Sequence, residues 1–226
     1  NQFSGHDRIN DANQITFGVT SRLLRQENGA EVVRAGIAQR FYMKSQEVTL
    51  PGAPLRTSNS SDFLAALSGT VARNWIAEAG WQYNTETSQT QKLSAGVRYL
   101  PEPGKVLNMG YRFTRDSLEQ IDVSTQWPIR PGWTALARWN YSLRESRLAE
   151  GIGGLEYNAD CWAFRVVAHR IATATSDSST SIFVQLELNG VSKLGSNPFD
   201  VLRQGISGYA RTVGQNTGTA NWYPTQ

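Results

Sequence analysis

Cysteine is nearly absent from this chain: Cys161 is alone among 226 residues, and a single thiol cannot build an internal disulfide framework. Long apolar runs are missing as well. No stretch approaches the roughly 18 to 20 residues of a membrane helix, which excludes helical spanning. Barrel spanning stays open, because helices and closed barrels are the two ways to satisfy every backbone group in hydrocarbon. Charge of one sign is also lacking. Lys and Arg number 22 against 19 Asp and Glu, a net charge of +3, and the Arg residues are scattered singly, unlike a nucleic-acid footprint. There is no initiator Met, charged n-region or apolar h-region at Asn1, so the start reads as neither a translation start nor a signal peptide. The chain is expected to be a piece of something larger. No Pro/Ser-rich linker divides it, which predicts one sheet plus a tail.

What is present is alternation. Trp133, Ala135, Ala137, Trp139, Tyr141 and Leu143 form an apolar row interleaved with Thr134, Leu136, Arg138, Asn140, Ser142 and Arg144. The same grammar recurs in Ile121 to Trp127, Leu107 to Phe113 and Ile182 to Leu188. A strand sends successive side chains to opposite faces, so each segment has one apolar and one polar face, as a wall between lipid and water requires. A mean hydropathy of -0.42 with 10% aromatics fits, since alternate residues alone would meet lipid.

The spacing predicts about eleven strands, over residues 12–26, 31–45, 62–73, 75–87, 89–100, 105–115, 118–127, 132–144, 147–157, 160–173 and 180–190. Turn chemistry marks the joints at Glu27 to Ala30, Pro101 to Gly104 and Arg130 to Gly132; Gln46 to Ser61 reads as a longer polar loop. The expected fold class is all-β, an antiparallel transmembrane β-barrel represented by its C-terminal portion, with an irregular tail. Residues 1–190 would be barrel and 191–226 a tail that is loop or lumen-associated. An odd count implies at least one missing strand, because single-chain bacterial barrels have an even number. Aromatics sort by end: Trp75, Tyr99, Trp127, Trp133, Tyr157 and Trp162 on the side of the turn at Arg73/Asn74, and Phe41, Tyr83, Phe113 and Tyr141 on the other. Those are the two girdles of a barrel, with the first end periplasmic and the long loop outside.

Strand parity assigns Glu78, Arg98, Arg112, Asp122, Arg138, Arg165 and His169 to the polar, lumen-lining face, together with Glu156 and Glu187. Such mixed charges are what any wet lumen needs, and they argue against a simple ion-selective pore. His169 invites comparison with a catalytic triad, but its parity is that of Arg165 and no Ser sits at a matching lipid-facing position. No enzyme activity is expected. His6 stands alone and offers no metal site, since zinc needs three or four ligands; no cofactor is implied. Gly151, Gly153 and Gly154 lack the helix and the Lys-Ser/Thr of a phosphate loop, so a bend or a close approach of another chain explains them better. Cys161, beside Asp160, is either an inert thiol or paired with a cysteine outside this chain.

The opening residues Asn1 to Arg8 and Asp11 to Thr16 closely resemble a segment of the LPS-assembly outer-membrane family LptD, the organic solvent tolerance proteins. The match continues through Trp81 to Asn84, Tyr111 to Phe113, Gln126 to Ile129, Gly154 to Tyr157, Cys161 to Val166 and Phe183 to Gly190. This resemblance implies the C-terminal part of a very large barrel in the outer membrane of a Gram-negative bacterium. Such a protein takes lipopolysaccharide from a periplasmic bridge, through an N-terminal domain absent here, and inserts it into the outer leaflet, with a plug lipoprotein in its lumen. The lateral exit lies between first and last strands, so Ser181, Ile182, Phe183, Val184, Gln185, Leu186, Glu187 and Leu188 would form one side of a gate. The family often has two adjacent cysteines before this Trp-Ala strand, each bonded to the N-terminal domain. Here Asp160 holds the first place, which leaves Cys161 as the candidate for one interdomain disulfide. A passive diffusion porin is the alternative reading.

Overall fold

The computed structural model describes residues 13–44, 59–159, 161–172, 177–188 and 191–211. Outside them lie His6 with most of the opening motif, most of the Gln46 to Ser61 loop, Asp160, Asn189, Gly190 and the end of the tail with Trp222, Tyr223 and Pro224. The strands are β1 (Gln14–Leu24), β2 (Glu31–Tyr42), β3 (Phe63–Ala72), β4 (Trp75–Asn84), β5 (Gln89–Glu102), β6 (Lys105–Thr114), β7 (Leu118–Arg130), β8 (Trp133–Ser142), β9 (Arg147–Asn158), β10 (Trp162–Ala172), β11 (Ser178–Leu188) and β12 (Ser192–Gly195), followed by one helix, α1 (Phe199–Gly205). They form a single sheet in chain order, antiparallel from β1 to β3 and from β7 to β12. This is the all-β architecture of a barrel wall, with β1 and β12 at its edges rather than joined to each other. No helix among the described residues is long and apolar enough to cross a membrane, which says nothing of strands.

Eleven of these strands coincide with the predicted ones to within a few residues. The twelfth, Ser-Lys-Leu-Gly, is too short and too polar for alternation to reveal. It becomes a strand because the edge of β11 supplies its ladder, from Gln185↔Gly195 to Leu188↔Ser192.

Turns are tight where the sequence supplies turn chemistry. Between β7 and β8, Gly132 has φ +77°, and a Cβ there would lie 2.9 Å from the Asn158 carbonyl oxygen and 3.0 Å from the Tyr157 ring. Both the left-handed backbone and the crowding select glycine. Of Gly151, Gly153 and Gly154, Gly154 is the one crowded by a neighbouring strand, and of this same chain: a Cβ there would stand 2.9 Å from the Val166 carbonyl oxygen of β10, whereas a Cβ on Gly153 would meet nothing within 4 Å.

The described contacts cluster into two compact units, one of Asn1–Ala72, Ile76–Gly96 and Tyr111–Glu119, the other of Arg73–Trp75, Val97–Gly110 and Gln120–Gln226. In the first, the register sets Gly18 opposite Ala38, Thr20 opposite Gly36, and Gly36 opposite Ala66. These small side chains leave a trough of about 660 Å³, also lined by Gly80, Ser94 and Arg112.

In the second unit the apolar face carries Trp127, Trp133, Trp139, Leu155, Trp162 and Val184, all exposed. Aromatic rings gather at the strand ends, Trp75 on Tyr99 at 4.6 Å, Trp133 on Tyr157 at 4.9 Å and Trp139 on Tyr141 at 5.3 Å. Rings with an apolar body and a polar tip suit a boundary between hydrocarbon and water. The polar face of this unit is buried instead, because residues 199–211 lie on it. Val106, Leu136, Ile152 and Val167 rise from β6, β8, β9 and β10 to meet Leu202 and Ile206, all buried, with Leu100, Phe183, Val201 and Tyr209 packed against them.

Candidate functional site

The site is the tail-covered polar face, and it is built by strand parity. The pairings Thr134↔Glu156, Arg165↔Glu156 and Arg165↔Gln185 put one residue from each of β8 to β11 in a single row. Arg165 is fully buried there. Its Nε donates to Glu156 Oε2 at 2.7 Å, and its Nη1 donates to Glu187 Oε2 at 2.7 Å and Gln185 Oε1 at 3.1 Å. An ion taken out of water is tolerated when charged partners and hydrogen bonds replace hydration. The replacement is incomplete: Arg165 Nη2 and Glu156 Oε1 are buried with no hydrogen-bond partner among the described residues, so the row retains unspent polar capacity.

The tail closes over this row. Arg211 donates to Glu187 Oε1, and Lys193 Nζ stands 3.6 Å from the same oxygen. Phe199, the first residue of α1, is faced by three cations, with Arg211 at 4.5 Å, Arg165 at 4.6 Å and Lys193 at 5.6 Å from the ring centroid. Cations attracted to the ring's negative face share their charge between it and the carboxylates. The Tyr209 hydroxyl donates to Glu156 Oε2 at 3.4 Å. Burial, and next the Glu156 carboxylate, push its phenol well above the ordinary tyrosine value.

Two further rows hold the rest. Arg138 donates to Asp122 Oδ2 at 2.7 Å and to Glu150 Oε2 at 2.8 Å, while His169 Nε2 lies 2.9 Å from Glu150 Oε1. Arg98 donates to Asn108 Oδ1 at 2.9 Å and to Ser207 Oγ at 2.6 Å, and Asn108 donates to the Ser207 carbonyl at 2.9 Å. The amide of Gln126 pairs with both backbone groups of Ala210, at 2.7 and 2.9 Å, as a neighbouring strand would. Of the nine residues that parity placed on the polar face, Arg98, Asp122, Arg138, Glu156, Arg165, His169 and Glu187 therefore stand in hydrogen-bonded rows of the second unit. Glu78 and Arg112 belong to the first unit, where Glu78 lies against Gly96 and Arg112 lines the trough.

Sequence reasoning missed the aliphatic part of the site, and a signal for it was present. Val106, Leu136, Ile152 and Val167 carry polar-face parity although they are apolar, which is where a covering segment must sit. Cys161 is exposed and unpaired among the described residues. No group of three His, Cys, Asp or Glu is arranged there to hold a metal.

β11 is asymmetric. β10 pairs with its whole length, from Trp162↔Leu188 to Ala172↔Ser178, whereas β12 pairs with Gln185 to Leu188 alone on its other side. Beyond that short ladder, the Ser196 hydroxyl and amide satisfy the amide and carbonyl of Val184. From Ser178 to Phe183 that side has no strand partner among the described residues.

The sequence model of the LptD family, described as LPS transport system D, matches residues 1–133. The chain belongs to the LptD family. Relatives named LPS-assembly protein LptD agree with most of its length: 48% identity over 209 residues for Thiobacillus denitrificans, 49% over 211 for Nitrosomonas eutropha and 46% over 211 for Aromatoleum aromaticum. These alignments cover 92%, 93% and 93% of this chain but 29%, 29% and 27% of the relatives. The chain thus spans under a third of the length of the curated relatives it matches.

Proposed function

We propose that this chain is part of the wall of an outer-membrane translocon in a Gram-negative bacterium, which inserts lipopolysaccharide into the outer leaflet through a polar lumen and a lateral seam. One observation carries the reading: in a chain of the LptD family, a continuous antiparallel sheet exposes Trp, Leu and Val on one face and holds Arg, Glu, Asp and His in bonded rows on the other. An amphipathic lipid needs both. Its sugars and phosphates call for a charged, wet interior, and its acyl chains must leave sideways into hydrocarbon. A passive porin needs no seam. The open stretch of β11, Ser178 to Phe183, supports placing the seam there, with Ser181 to Leu188 as the gate strand. On this reading residues 1–190 belong to the barrel wall, β12 adds a short strand to its edge, and the described residues after it, 196–211, belong to the lumen.

The lumen-lining set is Glu78, Arg98, Arg112, Asp122, Arg138, Arg165 and His169. None of these is assigned a catalytic step. The trough of small residues in the first unit offers room for a plug lipoprotein, and Cys161, exposed at a turn, is the residue that would bond to the N-terminal domain through which the periplasmic bridge delivers lipid.

The test is a tether in the full-length protein. A cysteine in place of Ile182, crosslinked to one in the first barrel strand, should stop lipopolysaccharide from reaching the cell surface, and reduction should restore it. Normal surface lipopolysaccharide with the crosslink formed would sink the seam.

A further inference from the structure

The edge of β11 is divided between two fates, and the division is made by the chain's own tail. In an antiparallel ladder, alternate residues direct both backbone groups to the same side. Val184 turns its amide and carbonyl to Ser196, so Leu186 and Leu188 face β12, while Thr180 and Ile182 face outward along the unpartnered stretch. A short strand adding itself to an exposed edge satisfies that edge and excludes any other strand from it.

The tail is fastened well beyond this ladder. Phe199, Leu202 and Ile206 are buried on the polar face, Arg211 and Lys193 reach Glu187, and Ser207 and Ala210 are held by Asn108 and Gln126. The turn out of β12 fits one residue type. Gly195 has φ +99°, and a Cβ there would stand 2.1 Å from the Val184 carbonyl oxygen. The docked tail and the covered edge are therefore one mechanical unit.

We propose that Ser192 to Arg211 is an internal clasp that permanently occupies the edge of β11 from Val184 to Leu188, so that lateral opening is confined to Ser178 to Phe183. The clasp deepens the seam reading and rests on it for its consequence, but its docking can be tested separately. It separates the jobs of one strand: the clasped half anchors, and the other half is free to exchange partners.

The experiment uses full-length protein in outer membranes with the pair Leu186→Cys and Leu194→Cys. These positions face each other in the register, at a spacing near 5.5 Å for a bonded antiparallel pair, within disulfide reach. Mass spectrometry of oxidised membranes should find the 186–194 peptide linked, and surface lipopolysaccharide should stay at the level of unlinked cells. Absence of the linked peptide overturns the clasp whatever the seam does. A linked peptide with export stopped overturns its permanence, because the clasp would then have to open. If the 186–194 link is silent and the Ile182 tether also leaves export normal, the confinement of opening falls with the seam. Gly195→Val supplies an independent readout. Hydrogen exchange at the Leu186 and Leu188 amides should rise roughly tenfold or more, with Thr180 and Ile182 unchanged; equal rates in both proteins would reject the docking.

Discussion

The two compact units use one strand grammar to opposite ends. In the first, glycine, alanine and threonine on the polar face of β1 to β3 leave the backbone bare and a trough open. In the second, larger and charged residues on the corresponding face are sealed under residues 199–211. Alternation makes the wall in both cases. What differs is whether the alternate residues are small enough to leave space or shaped to receive a segment of the same chain. A polar face is thus not one environment, and the identity of its residues records what is meant to lie against it.

The comparison can be broken first at Arg165. Removing its guanidinium as Arg165→Ala strands the buried carboxylate of Glu156 and leaves Glu187 to Arg211 and Lys193, a change that costs about 3–5 kcal/mol where a buried pair is broken. Thermal unfolding of the full-length protein in detergent should show a clear fall; wild-type behaviour would mean the row does not organise the covered face. Leu202→Ala comes next, at about 2–5 kcal/mol for truncating a fully buried leucine. This loss should be local, seen as protease cleavage after residue 191 while the strands stay resistant. Two glycine substitutions then sharpen the contrast with identical chemistry. Gly205→Ala drives a methyl to within 2.4 Å of Ile152 Cδ1 and should cost about 1–3 kcal/mol by overpacking. Gly36→Ala has Thr20 Oγ1 at 3.5 Å as its nearest neighbour, so it should be neutral or stabilise by about 0.5 kcal/mol, because alanine loses less entropy on folding. Equal melting shifts for the two would erase the distinction between filled and bare faces.

The wall was legible because period-two alternation is a local property. Trp133 to Leu143 announces a strand, its two faces and its girdle residues without reference to any other part of the chain. The tail was not legible for the reciprocal reason. Ser192 to Gly195 has no strand pattern of its own and is a strand through the vacancy on β11, and α1 is a helix of seven residues whose apolar side makes sense against Leu136 and Val167. The charged residues were placed on the right strands by parity, yet which carboxylate each Arg would meet depends on register. Arg138 opposite Ile152, for instance, reaches diagonally to Glu150. A bulge beside Asn140 and Tyr141 sets that offset, and nothing in the spacing of β9 foretells it.

The hydrogen bond from Arg98 to Ser207 spans 109 positions of sequence, whereas β11 and β12 pair between segments that are close neighbours in sequence. Nearly all other pairings join successive strands, a pattern of local contacts that forms early because little chain entropy is lost in closing each loop. The seat of the tail does not exist until β5 through β11 stand side by side, since Arg98, Asn108, Gln126, Leu136, Ile152, Val167 and Glu187 each supply a part of it. Docking of Leu202 and Ile206 is therefore expected to follow the pairing of these strands, and a cell that could sense a loose tail would be reading whether seven strands had been laid down in the correct order.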